Sequence, residues 1–223
     1  MNAVRPADLA RLEGALHELP IFPLPEVVFF PGVRLPLHVF EPRYRAMIQD
    51  CLATHGAIAI AQLLPGRDAT GFPRLAQVVG GGVITDHQAL PDGRTNILVQ
   101  GLARLSLEEL PFVAPYRRAR ARVLDDEGGE LPASERAALV SAATLFAREI
   151  RKHDKTFSLR LPDEIEASRL ADVCAFQFVV DAGVRQRVLE ELRPVRRARL
   201  VIEELMMQSA ALGTPHARGS AAN

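Results

Sequence analysis

The segment LPIFPLPEVVFFPGVRLPLHVFEPRYR, residues 19–45, decides how the rest of the chain is read. Pro20, Pro23, Pro25, Pro31 and Pro36 fall every few residues, so no helix can run through the segment before position 42. Between them lie short apolar runs, the texture of small strands joined by tight turns. Val27–Phe30 and Leu35–Phe40 are predicted strands, with Pro31-Gly32 as a turn. At Pro42 the periodicity changes. Proline suits a first helical position, and Glu41 complements the positive end of the helix dipole. Tyr44, Met47, Ile48, Cys51 and Leu52 then recur with helical spacing and predict one buried stripe.

Downstream the β texture continues. Ala57–Leu63, Leu75–Thr85, Thr95–Val99, Ala103–Glu108 and Tyr116–Leu124 are further predicted strands. Pro91-Asp92-Gly93 predicts a turn, and Gly80-Gly81-Gly82 a bulge or barrel corner. Upstream, residues 1–17 read as a polar lead-in with a helical turn or two around Leu9, Leu12 and Leu16. After Asp125 the chain becomes acidic and glycine-rich, then helical. Predicted stripes are Leu139/Ala143/Phe146/Ile150, Leu170/Val173/Cys174/Phe178, Val184/Val188/Leu192 ended by Pro194, and Ala198/Val201/Ile202/Leu205/Met206. The expected organisation is therefore a lead-in (1–17), a β-rich lobe (18–125), a linker (126–130), a helical subdomain (131–211) and a disordered tail (212–223). The linker leaves open whether the helical half closes over the barrel or swings away from it.

Composition adds exclusions. The chain has 223 residues and 27 basic against 27 acidic ones, so global charge recommends neither nucleic acid nor a membrane surface. No apolar run approaches the ~20 residues of a membrane span, and the first thirty residues contain no signal-like apolar stretch. A cytoplasmic location is expected. Cys51 and Cys174 each sit in an apolar helical pattern and read as buried, reduced thiols.

Enzymatic motifs are weak throughout. Neither Lys152 nor Lys155 follows a phosphate-binding glycine loop, and the six histidines show no metal-ligand spacing. Lys155 and Ser158 are the one nucleophile–base candidate, and they lack the buried setting that a proton-accepting lysine needs. His38 reads as structural. Two surface readings remain. Phe29, Phe30 and Val33 flank the Pro31-Gly32 turn and form a peptide-binding candidate if they stay exposed; the alternative is strand core. Tyr116, Arg118, Arg120 and Arg122 share one face of a strand and are the alternative nucleic-acid candidate; a solvated sheet face is the simpler reading.

The segments Leu19–Leu24, Val27–Gly32 and Leu35–Arg45, in that order, resemble the opening signature of the N-terminal domain of Lon proteases. Asp92–Gly101 followed by Arg104 agrees, as does the helical stretch from Leu170 through Gln186 to Leu205, so the resemblance covers roughly residues 18–207. It implies an α+β fold: a PUA-like β pseudo-barrel with an embedded helix, followed by a C-terminal α-helical bundle. It also implies a protein-binding module without cofactor or metal, standing alone without the ATPase and protease motifs. Its expected partners are unfolded or apolar polypeptide segments and a separate Lon-type protease. RNA is the alternative partner, because PUA-like barrels elsewhere bind it.

Overall fold

The computed structural model describes residues 5–157 and 166–213. In chain order the elements are α1 (Pro6–Ala15), β1 (Leu19–Leu24), β2 (Arg34–Val39), α2 (Pro42–Ala53), β3 (Ala57–Arg67), β4 (Pro73–Leu75), β5 (Val78–Ala89), β6 (Thr95–Glu109), β7 (Arg118–Leu124), α3 (Ala133–His153), α4 (Ala167–Phe178), α5 (Ala182–Glu190) and α6 (Pro194–Gly213). The α+β architecture expected from the sequence is present.

Five strands close on themselves in the order β1-β7-β6-β5-β3, because β1 also pairs with β3 in parallel from Ile21 to Leu24. β1 was not among the predicted strands. Its two prolines argue against a strand, yet β1 divides its pairing: Leu19 and Pro20 meet β7, and Ile21 onward meets β3. No continuous two-sided ladder is demanded of it. The runs Thr95–Val99 and Ala103–Glu108 are one strand, β6, which passes from β2 at its start to β7 at its end. Leu75–Thr85 is instead divided between β4 and β5.

All five barrel strands feed one core cluster. Leu19, Ile21, Ala57, Ala59, Val79, Leu105 and Ala119 belong to it, and α1 inserts Leu12 and Ala15. The lead-in is thus a plug, with Arg11 donating to the carbonyls of His55 and Ile84 at 2.9 and 3.1 Å. The second core lies against the opposite strand faces and is continuous from α2 into the helices, including Met47, Ile60, Phe146, Cys174 and Val188.

The segment predicted as strand Val27–Phe30 is not a strand. It is an irregular stretch that carries Phe29 and Phe30, both 0% exposed, into this second core. The glycines make room for it. A Cβ on Gly80 or Gly101 would overlap the carbonyl oxygens of Phe29 and Phe30 respectively. The register also shifts between Gly81 and Gly82, the bulge that the glycine run predicted.

Tyr44, Met47, Ile48 and Cys51 of α2 are buried as expected, whereas Leu52 is exposed. Met206 in the second half of α6 is exposed too, and Pro194 opens α6 instead of merely ending α5. The helices are fastened to the barrel by buried charge. Arg104 of β6 pairs with Asp172 of α4 and donates to the Leu189 carbonyl at 3.0 Å. Arg197 of α6, fully buried, binds Asp126 of the linker at 2.5 and 2.8 Å and the Ser168 carbonyl at 2.9 Å.

Candidate functional site

Phe29, Phe30 and Val33 are core residues, so the condition for their forming a peptide patch is not met. An apolar surface lies elsewhere, in a groove of about 440 Å³ between β1, the end of β2, α2 and the loops bearing Phe72 and Phe112. Its construction follows from local sequence. β1 presents Phe22 and Leu24, and just past the end of β2 comes Phe40, which stays 60% exposed where the chain turns toward Pro42 and α2. Tyr44 on the first turn of α2 packs on Phe22 with ring centroids 4.5 Å apart. Across the groove Phe72 and Phe112 meet at 4.8 Å, and Phe112 and Val113 are also exposed.

Two arginines cover aromatic rings on these walls. The Arg43 guanidinium lies 4.5 Å from the Tyr44 ring centroid, and that of Arg117 lies 5.7 Å from Phe72. Arg43 is paired with Glu41 at 2.8 Å, and Arg117 with Glu109 at 2.5 Å. Burial pushes the Tyr44 hydroxyl above its usual pKa, so it is neutral near pH 7. The walls are therefore apolar, aromatic and nearly neutral, a surface suited to apolar side chains.

The arginines of the basic strand are mostly paired at the surface. Tyr116 is buried and precedes β7, its hydroxyl donating to Asp50 at 2.7 Å. Arg118 pairs with Glu18 at 2.7 Å and Arg120 with Glu108 at 3.3 Å. Arg122 is exposed opposite Ser106. Neighbouring carboxylates neutralise most of this stripe.

The nucleophile candidates fare as follows. Lys155 is exposed, and Ser158 lies outside the described residues. Both cysteines are free, and burial pushes each thiol up to about 12, which keeps them protonated and unreactive. His38 is exposed, its Nδ1 2.7 Å from Asn96 Oδ1. Among the described residues no group of three or more His, Cys, Asp or Glu is placed to hold a metal, and no helix is long and apolar enough to cross a membrane.

Sequence reasoning missed Phe40, Phe72 and Phe112. Each has a proline within two residues, but so does Phe30, which is buried; the local signal does not separate them.

Comparison with known proteins agrees with this architecture. Residues 18–206 match the model of the ATP-dependent protease La (LON) substrate-binding domain. The Lon protease of Roseiflexus castenholzii is 32% identical over 198 residues, covering 84% of this chain and 24% of that protein. That of Anaeromyxobacter dehalogenans is 31% identical over 210 residues, covering 91% and 25%. The chain thus spans about a quarter of the length of these curated relatives. Among solved structures, the Lon N-terminal domain protein from Xanthomonas campestris superposes with a TM-score of 0.62 at 22% identity, covering 83% of this chain and 97% of that one. The N-terminal domain of Mycobacterium avium complex Lon protease gives 0.63 at 16% identity, covering 85% and 98%. By this match along nearly its whole length, the chain belongs to the Lon substrate-binding domain family.

Proposed function

We propose that the chain is a non-catalytic module that binds unfolded or extended segments of other proteins, and that the groove beside Phe40 takes their apolar side chains. The observation that carries this reading is the groove itself: exposed Phe40 and Phe112 both line an apolar, aromatic cleft of about 440 Å³. Exposed apolar patches of this kind, larger than scattered single residues, are the surface that protein-binding sites use. The family supports the same reading through its designation as a substrate-binding domain, and its relatives supply the context of a Lon-type protease.

The test is fluorescence anisotropy of the purified chain against a labelled, permanently unfolded polypeptide and a labelled single-stranded RNA, across a salt series. Polypeptide binding should persist in salt and fall about tenfold or more when Phe40 and Phe112 are both changed to alanine. RNA binding that falls steeply with salt and is lost in Arg118→Ala/Arg120→Ala would replace this reading.

A further inference from the structure

β2 has two edges, and β6 uses only one. The pair Val33 and Gly101 continues the β2–β6 register, and the Gly101 N–H donates to the Val33 carbonyl at 2.8 Å. Backbone groups in an antiparallel ladder alternate in direction. Leu35, Leu37 and Val39 therefore point theirs at β6, and Arg34, Pro36 and His38 point theirs away. Pro36 fits this assignment, since a proline belongs where no ladder N–H is needed. Among the described residues β2 pairs with β6 alone, and the outward backbone groups of these three residues have no backbone partner. All three residues are exposed. The end of the same strand, Leu37 to Val39, and the Phe40 that follows it form one wall of the apolar groove.

Charge beside this edge is lopsided. Arg43 is matched by Glu41 and Arg94 by Asp92, but Arg34 bonds only the neutral amide of Gln100, at 3.1 Å. One arginine at the start of the edge has no carboxylate partner among the described residues.

We propose that the ligand polypeptide docks as an added β-strand on the outer edge of β2. Alternate ligand side chains enter the groove, and a carboxylate on the ligand meets Arg34. The proposal rests on the reading of the groove as a polypeptide site and adds its recognition chemistry: an extended segment, bulky apolar residues at every second position, and an acidic residue at one end. A strand can pair with the N–H groups of Arg34 and His38 and with the carbonyls of Arg34, Pro36 and His38, and its period of two delivers every other side chain to the same face.

The experiment uses a labelled peptide of about eight residues that alternates leucine or phenylalanine with serine and carries one aspartate near an end. Two further versions carry N-methyl groups on alternate backbone nitrogens, one on the even set and one on the odd set. One set faces β2 and should weaken binding about tenfold or more, while the other leaves it within about twofold. Exchanging the aspartate for lysine should weaken binding to the natural chain and make no difference to Arg34→Gln. Equal effects of the two methylated sets, with the parent peptide still bound, overturn the strand mode and leave the groove reading standing. A parent peptide that does not bind at all removes both. A stable dimer in sedimentation that excludes the peptide assigns the edge to a second copy and also overturns the proposal.

Discussion

Gly80 of β5 lies directly against the backbone carbonyl of Phe29, with no space between them for a methyl group. The contact explains the glycine at position 80, near the start of β5; its neighbour Gly82 lies as closely against the Gln100 carbonyl. The irregular segment crosses the sheet at van der Waals distance from its backbone, and only hydrogen at the Cα permits that approach.

Gly80→Ala is accordingly expected to destabilise the chain by about 1–3 kcal/mol or more, read as a lower urea midpoint. Gly14 in α1 is the control. Nothing lies within 4 Å of a Cβ placed there, so Gly14→Ala should be neutral or stabilise by up to about 1 kcal/mol.

Phe30 and Phe40 should separate stability from binding. Phe30→Ala empties a fully buried site and should cost about 3–5 kcal/mol. Phe40→Ala removes a largely exposed ring and should change stability by less than about 1 kcal/mol while lowering polypeptide affinity. Thermal melts paired with anisotropy check both.

Asp172 sits between two buried arginines, with Arg104 in contact and the Arg197 Nε 3.6 Å away. Asp172→Ala leaves both cations without their shared carboxylate and should cost about 3–5 kcal/mol. Arg120→Ala removes an exposed pair with Glu108 and should cost less than about 0.5 kcal/mol. Comparable losses in the two variants, by chemical denaturation, would contradict the assignment of the buried cluster as the fastening between helices and barrel.

His55 provides a pH dependence. Its Nδ1 accepts the Ala57 N–H at 2.9 Å where β3 begins, which requires that nitrogen to be unprotonated. Burial, with the nearby His17 and Arg11, lowers its pKa below the ordinary 6.5. The unfolded chain therefore binds a proton first as pH falls. The stabilising contribution is fully present above 6.5 and is lost as pH drops through the folded pKa. Melting temperature should decline from about pH 7.5 to about pH 5, and the decline should be shallower in His55→Asn, which keeps an acceptor without titrating.

Much of the fold is legible because local chemistry and tertiary packing agree there. Proline at the start of α2, the stripe Tyr44/Met47/Ile48/Cys51 and the Leu90–Arg94 turn all follow from periodicity and turn chemistry; in that turn the Leu90 N–H donates to Arg94 at 2.8 Å. β1 escapes because its strand character depends on two different partners, which no local window contains. The groove escapes for a related reason. Phe30 and Phe40 have similar neighbours in sequence, and only the path of the chain over Gly80 and Gly101 buries one and leaves the other in water. For the basic strand the sequence favours a solvated sheet face, but its neutralising glutamates, Glu18 and Glu108, come from other parts of the chain and are not legible in the local sequence.

The segment around Phe29 and Phe30 has a consequence for how such a module is inherited or moved. It leaves β1, inserts its rings into a core that strands and helices build jointly, and returns to β2. A cut at Glu130 would divide the residues of this shared core between two pieces, so each half on its own is expected to be less stable than the whole. A piece meant to fold as this chain does would have to keep α1 as well, since Leu12 and Ala15 fill the barrel core, together with the strands and helices over which the family match runs, residues 18–206.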